Sequence, residues 1–280
     1  MDYNDISYEI EGRAAIITIN RPDRLNAFRG RTVEELIHAF KTVWGDDRIA
    51  AAILTGAGTR AFCAGGDQKE YVEKGSYGVS ETGIFEVEAL HHSIRDCPKP
   101  VIAAVNGVAI GGGHVLHVVC DVSIASESAR FGQAGPRVAS FDAGFGTAYL
   151  ARIVGEKRAR EIWFFCRQYD AATALEWGLV NKVVPADQLM EEARSWVKEI
   201  EELSPTALRF LKASFNADSA QIAGQQRLAF TGLEVFGKTS EAQEGRESFA
   251  EKRKSNFDEF RLPEASSLGA ITSKHGEKKT

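Results

Sequence analysis

Residues 98–116 read PKPVIAAVNGVAIGGGHVL, and this stretch decides the fold. Two prolines close whatever precedes it. The apolar run VIAAV then has the length and composition of a strand. Asn106-Gly107 punctuates the run, and GVAIGGGH opens a helix reaching about Cys120. Working outward, SYEIEGRAAIITIN at 7–20 reads as two short strands around a Gly-Arg turn. Residues 50–55 form a short apolar run with the character of a buried strand, and 122–125 form another strand. Between them, a helix begins at Thr32, with Glu35 three residues on in capping-box spacing, and a second helix lies near 85–96. Strand and helix alternate through about residue 130, which predicts parallel strands joined by helical crossovers and an α/β fold.

The intervening and following segments are read more simply. Residues 56–68, GAGTRAFCAGGDQ, make a glycine-rich loop, and 69–84 are polar with Gly75, Gly78 and Gly83, as in a mobile loop. After Gly146 the pattern is helical almost throughout. Ser204-Pro205 looks like a capped helix start, and 217–252 keep helical spacing without proline. The last residues, ending KHGEKKT, read as a frayed tail.

Composition excludes several classes. The 280 residues are 44% hydrophobic and 26% charged, as in an ordinary globular chain. A net charge of −5 gives no bulk attraction to nucleic acid. The acidic start lacks the apolar run of a signal peptide. The nearly uncharged span 101–120 carries Asn106, His114, His117 and a run of glycines, which suit a strand, turn and helix better than a membrane span. Cys63, Cys97, Cys120 and Cys166 lack paired spacing, as in free thiols of a reducing compartment, and a cytoplasmic location is expected. His114 and His117 could share a helix face, but nothing around them resembles a zinc motif, so no metal is expected.

Two glycine turns remain as the candidate chemistry: Ala64-Gly65-Gly66-Asp67 and Ile110-Gly111-Gly112-Gly113. Each can present a backbone N–H where a side chain would obstruct approach, and two such donors are what a developing oxyanion needs. GAGTRAFCAGG does not follow a first βαβ strand in dinucleotide-binding fashion, and no G-K-[ST] phosphate loop is present.

In this order, INRPDRLNAF at 19–28, AFCAGGDQ at 61–68, PKPVIAAVNGVAIGGGHVL and CDVSIAS at 120–126 resemble the crotonase (enoyl-CoA hydratase/isomerase) superfamily, over roughly residues 5–260. The resemblance implies a crotonase (ClpP-like) fold of stacked ββα turns. It implies a core over 1–200 holding a CoA-thioester site, a helical trimerisation region over 201–262 and a disordered tail over 263–280. The implied partners are an acyl-CoA thioester and the chain itself, as a trimer or dimer of trimers, with no nucleic acid and no membrane. Mapped onto this chain, the Gly66 and Gly112 amides would bind the thioester oxygen, helped by the dipole of the helix that starts there.

Hydratases of this family carry two glutamates that handle water. The matching positions here are Val115 and Gly135, so simple hydration lacks its acid and base. In their place FGQAGPRVASFDAGFGTAYLARIVGEKRAREIWFFCRQYDA, residues 131–171, resembles 1,4-dihydroxy-2-naphthoyl-CoA synthase, a ring-closing enzyme of menaquinone biosynthesis, and 2-ketocyclohexanecarboxyl-CoA hydrolase, its ring-opening relative. That resemblance makes Asp142 a proton carrier and Ser140 a hydrogen-bond partner of a second carbonyl. A local turn or capping role is the other reading of both. It implies a bicarbonate base beside Gln133, Gly135 and Trp163, as in some synthases, with no tightly bound cofactor. Substrate and CoA contacts are implied for Ala64, Gly65, Gln68, Val108, Ala109, Ile110, Gly111 and Ala134. Tyr77 would close over the substrate, and Lys252 would reach a neighbouring subunit's CoA. Arg24 is read as a phosphate ligand or a surface arginine, and Asp67 as a site residue or a turn brace. The chain departs from the synthase pattern at Gly237, where a tyrosine is expected, at Lys69-Glu70-Tyr71, where Lys-x-Arg is usual, and at Leu25, where an arginine is usual. A homologue that binds RNA or protein without turnover is the reading from a different class.

Overall fold

The computed structural model describes residues 1–81 and 83–261. Its strands are β1 (Ile6–Glu11), β2 (Ala14–Ile19), β3 (Ala51–Gly56), β4 (Ala61–Cys63), β5 (Val101–Val105), β6 (Val108–Ile110), β7 (Val122–Ser126), β8 (Arg130–Gly132), β9 (Gln168–Asp170) and β10 (Lys182–Val184). Its helices are α1 (Gly30–Gly45), α2 (Gln68–Lys74), α3 (Val87–Asp96), α4 (Gly112–Val119), α5 (Ala148–Val154), α6 (Glu156–Phe165), α7 (Ala171–Glu176), α8 (Leu189–Glu201), α9 (Pro205–Asp218), α10 (Ala220–Phe236) and α11 (Ser240–Ala250).

The strands form a six-stranded sheet, ordered β1-β2-β3-β5-β7-β10, and a four-stranded sheet, ordered β4-β6-β8-β9. Only β1 and β9 run antiparallel to their neighbours. The central strands read as unbroken apolar runs because both faces of the large sheet are covered. Ala15, Ile17, Leu54 and Ala103 face the main core with α1, α3 and α4. Ile16, Ile53, Ile102 and Ile124 face the other way, onto Leu189, Ala193 and Val197 of α8. The four-residue spacing of those three gives α8 its single apolar stripe.

The expected mixed α/β crotonase fold is present, with differences in detail. The glycine-rich loop and the GVAIGGGH segment each contain a strand, β4 and β6, too short to show periodicity. These two pair in parallel and carry one glycine bend apiece at their ends. The polar segment expected as a mobile loop opens with α2, capped by Asp67 and stopped at Gly75 (φ +74°). Helix α1 begins before Thr32, and Glu35 is no capping residue. Fully buried, it accepts the amides of Asn4, Asp5 and Ile6 at 2.8–3.1 Å and so pins the chain's start. Residues 263–280, expected to fray, lie outside the described residues.

Candidate active site

Strands β4 and β6 place the two glycine bends in contact. A Cβ on Gly65 would stand 3.1 Å from the Gly112 nitrogen, and one on Gly112 would meet Phe28 at 2.6 Å and the Gly65 Cα at 3.7 Å. Gly65 (φ +88°) and Gly111 (φ +59°) take backbone angles that favour glycine. A side chain on Gly113 would collide with the Cys63 carbonyl, so α4 must start on glycines to approach β4. Among the described residues, neither the Gly66 nor the Gly112 N–H finds an acceptor in another element. The flanking groups are committed: Phe28 N–H donates to the Gly65 carbonyl at 2.8 Å and Ala64 N–H to the Leu25 carbonyl at 3.1 Å.

The INRPDRLNAF segment acts as a splint for the first bend. Leu25 and Asn26 are successive left-handed residues (φ +51° and +55°). The buried Asn26 amide then donates to the Ala61 and Ala57 carbonyls at 2.7 and 3.0 Å. Arg21 pairs with Asp67 at 2.9 Å and also donates to the Ala27 carbonyl. The other Asp67 oxygen accepts from Glu70 N–H at 3.1 Å. With both oxygens engaged and 3% exposure, Asp67 braces the turn. Sequence reading missed Arg21 and Asn26, although the Asn-Arg-Pro run carried a turn signal.

Tyr77 lies over Gly66, its ring 2.7–2.8 Å from where a side chain would stand. Gln68 Nε2 donates to its hydroxyl at 2.7 Å, and burial pushes its phenol up to about 12. Beyond Tyr77 opens a cavity of about 410 Å³ lined by Gln68, Tyr71, Phe85, Ser140, Phe230 and Arg246, among others. Ser140 lines this cavity together with Tyr77, while its own N–H is held by the Gly135 carbonyl at 2.8 Å. Val108, Ala109 and Ile110 form β6, Gly111 precedes α4, and the Ala134 carbonyl accepts from Arg137 N–H at 3.0 Å. Arg24 sits in the turn after Arg21, and Lys252 is exposed just past α11; neither lines the cavity.

The Asp142 carboxyl lies near Val115. Its Oδ1, Val115 Cγ2 and Trp163 Cζ2 all approach one point, 3.1–3.2 Å from where a Cβ on Gly146 would stand. Oδ1 is enclosed without a hydrogen-bond partner. Burial pushes this acid up to about 7, the range of a working proton carrier. The expected bicarbonate site does not fit the residues around it. The side-chain space of Gly135 is filled by the Ser140 carbonyl at 2.6 Å and the Trp163 ring at 3.0 Å. The Trp163 indole N–H already donates to the Gly146 carbonyl at 2.5 Å. Gln133 Nε2 lies 3.3 Å from His114 Nδ1, leaving an unpartnered oxygen that would repel an anion.

Adjoining glycine bends on parallel strands, with a helix starting at the second, define a crotonase-type thioester site. The profile of the enoyl-CoA hydratase/isomerase family matches residues 9–260, and the chain belongs to that family. It is similar to the carnitinyl-CoA hydratase structure from Mycobacterium avium, with 30% identity, TM-score 0.80, and 92% of this chain and 100% of that one covered. An enoyl-CoA hydratase/carnithine racemase from Magnetospirillum magneticum is 32% identical at TM-score 0.71, covering 91% and 96% of the two chains. An enoyl-CoA hydratase from Mycobacterium avium subsp. paratuberculosis K-10 is 28% identical at TM-score 0.81, covering 91% and 99%. The protein is thus an acyl-CoA enzyme of the crotonase superfamily.

Proposed function

We propose that this enzyme makes or breaks a carbon–carbon bond beside a CoA thioester through an enolate, most simply as a ring-closing synthase of the 1,4-dihydroxy-2-naphthoyl-CoA type. The Gly66 and Gly112 amides hold the thioester oxygen, each such donor contributing on the order of 3 kcal/mol in the transition state. Asp142 removes or returns the proton, and Ser140 bonds the second carbonyl. The carrying observation is the enclosed Asp142 carboxyl beside Val115, the position where the family resemblance would put a hydratase glutamate. With Val115 fully buried and Gly135 packed against Trp163, water addition has no acid–base pair. Ring opening of a cyclic β-keto thioester is the second reading, since it needs the same enolate run in reverse. The test is incubation with aromatic and alicyclic CoA thioesters, reading products by mass and α-proton exchange by deuterium uptake. Hydration of a plain enoyl-CoA, without exchange on saturated thioesters, would overturn the proposal.

Self-association is the second part of this reading. On α9, Phe210 and Phe215 are 72% and 76% exposed, and Leu228 of α10 is 75% exposed. Apolar surface of this kind marks a contact face, and a trimer of this chain fits it. Light scattering should give a multiple of 30.6 kDa, and charged substitutions at Phe210 and Phe215 should reduce it. A monomeric wild type would remove this part.

A further inference from the structure

Among the described residues lining the cavity, Arg246 is a cation with no ion-pair partner. Arg227, which lines the same space, pairs with Glu88 at 3.1 Å. Arg246 is half-buried, and among the described residues it has no carboxylate within ion-pair distance. Its guanidinium donates to the Gly237 carbonyl at 2.8 Å and lies 4.7 Å from the Tyr71 ring centroid. That leaves several N–H donors of the fork unused. Tyr71 packs edge-on to Tyr77 at 4.7 Å, and Tyr77 lies over Gly66. Two aromatic rings therefore separate Arg246 from the first glycine bend. The Tyr71 hydroxyl is 3.7 Å from where a side chain on Gly237 would start, so the bare backbone there leaves the phenol room beside the guanidinium. Glu234 lines the cavity too, but it is exposed and forms no pair with Arg246.

We infer that Arg246, supported by Tyr71, is the specificity-determining residue that recognises an anionic group, a carboxylate, on the acyl chain at the end remote from the thioester. The inference rests on the enolate reading above and names the side chain that would select a second acid group on the acyl chain. A guanidinium suits this task because it keeps its charge when half-buried and can present two parallel donors to a carboxylate.

The test compares succinyl-, glutaryl- and adipoyl-CoA with straight-chain acyl-CoAs of the same length, by calorimetric affinity and by α-proton exchange. At one chain length the wild type should bind the acid about 10- to 100-fold tighter than its neutral counterpart, the range for a hydrogen-bonded charge pair. R246Q should lose that preference, and R246K should recover part of it. Equal affinity of acid and neutral thioesters for the wild type at every length would overturn the assignment, whatever R246Q does to folding. Exchange on neutral thioesters with no acid preference would sink Arg246 and keep the enolate reading. Acid preference without any exchange would keep Arg246 and sink the enolate reading.

Discussion

The Asp142 carboxyl carries a cost to the fold. Its acid, ordinarily near 3.8, is pushed up to about 7 by burial, and its Oδ1 finds no donor. The unfolded chain ionises this group above 3.8, while the folded protein holds the proton until about 7. Stability therefore falls as pH rises through that window and levels off above it. The full shift corresponds to about 4 kcal/mol, which is the upper limit of the effect. D142N should be more stable than wild type at pH 8 by up to that amount, with little difference below pH 4, as read by urea denaturation. The same variant should lose α-proton exchange by a factor of about 100 or more while keeping CoA-thioester affinity. Wild-type turnover should rise with pH through about 7 if Asp142 acts as a base. Full exchange activity in D142N would take Asp142 out of the mechanism.

At the scale of elements, helix α9 is anchored by Lys212, with Asn216 donating to the Arg95 carbonyl at 2.7 Å beside it. Lys212 is its buried residue, and its ammonium donates to Asp121 at 2.6 Å and to the Lys99 and Ile94 carbonyls at 3.0 and 3.1 Å. Asp121 also accepts from Val101 N–H at 2.7 Å, so the cluster ties the tail to the start of β5. K212A leaves that carboxylate facing a gap and should cost about 2 kcal/mol, below the full penalty for a broken buried pair because Asp121 keeps partial solvent access. Adding D121N should restore part of the loss, measured by chemical denaturation. The sequence shows such elements unevenly. Strands β2, β3 and β5 were legible because both their faces are apolar, and α9 because Ser204 caps it ahead of Pro205. β4 and β6 were not, since three residues carry no period. The glycine bends were legible by composition; Tyr77, bonded to Gln68, lies over the first of them, and Ser140 lines the cavity that Tyr77 borders. Tyr71 and Arg246 were hidden because they come from helices far apart in the chain, and only packing puts a guanidinium over a phenol ring. The bracing contact of Asp67 was hidden for a related reason: its partner Arg21 is 46 positions away.

Across the whole molecule, three buried histidines set the response to acid. His91 of α3 is bonded to Gln226 of α10 at 2.5 Å, and His114 and His117 of α4 to Gln133 and Ser123 at 3.3 and 3.1 Å. Each has an enclosed Nε2 without a partner. Burial pushes His91 and His114 down to about 3 and His117 well below its ordinary range. The folded protein therefore refuses protons that the unfolded chain accepts below about 6.5. Stability contributed by neutral histidines is full above that value and is lost as pH falls toward 3, by about 1.4 kcal/mol per pH unit for each ring. Asp142 works in the opposite sense over part of the same range, because the fold keeps its proton and the unfolded chain does not. Between pH 5 and 6 unfolding should therefore take up about two protons net, three on the histidines less one from Asp142. The denaturation midpoint should drop steeply from pH 7 to pH 5, and D142N should make the drop steeper by about one proton. These rings join the α4 helix behind the glycine bends to the sheet and α3 to the helical tail, so acid should release the site and the tail together. Loss of helix signal and loss of thioester binding should share one midpoint at pH 5; binding lost well before the helix signal would mean that the two regions unfold independently.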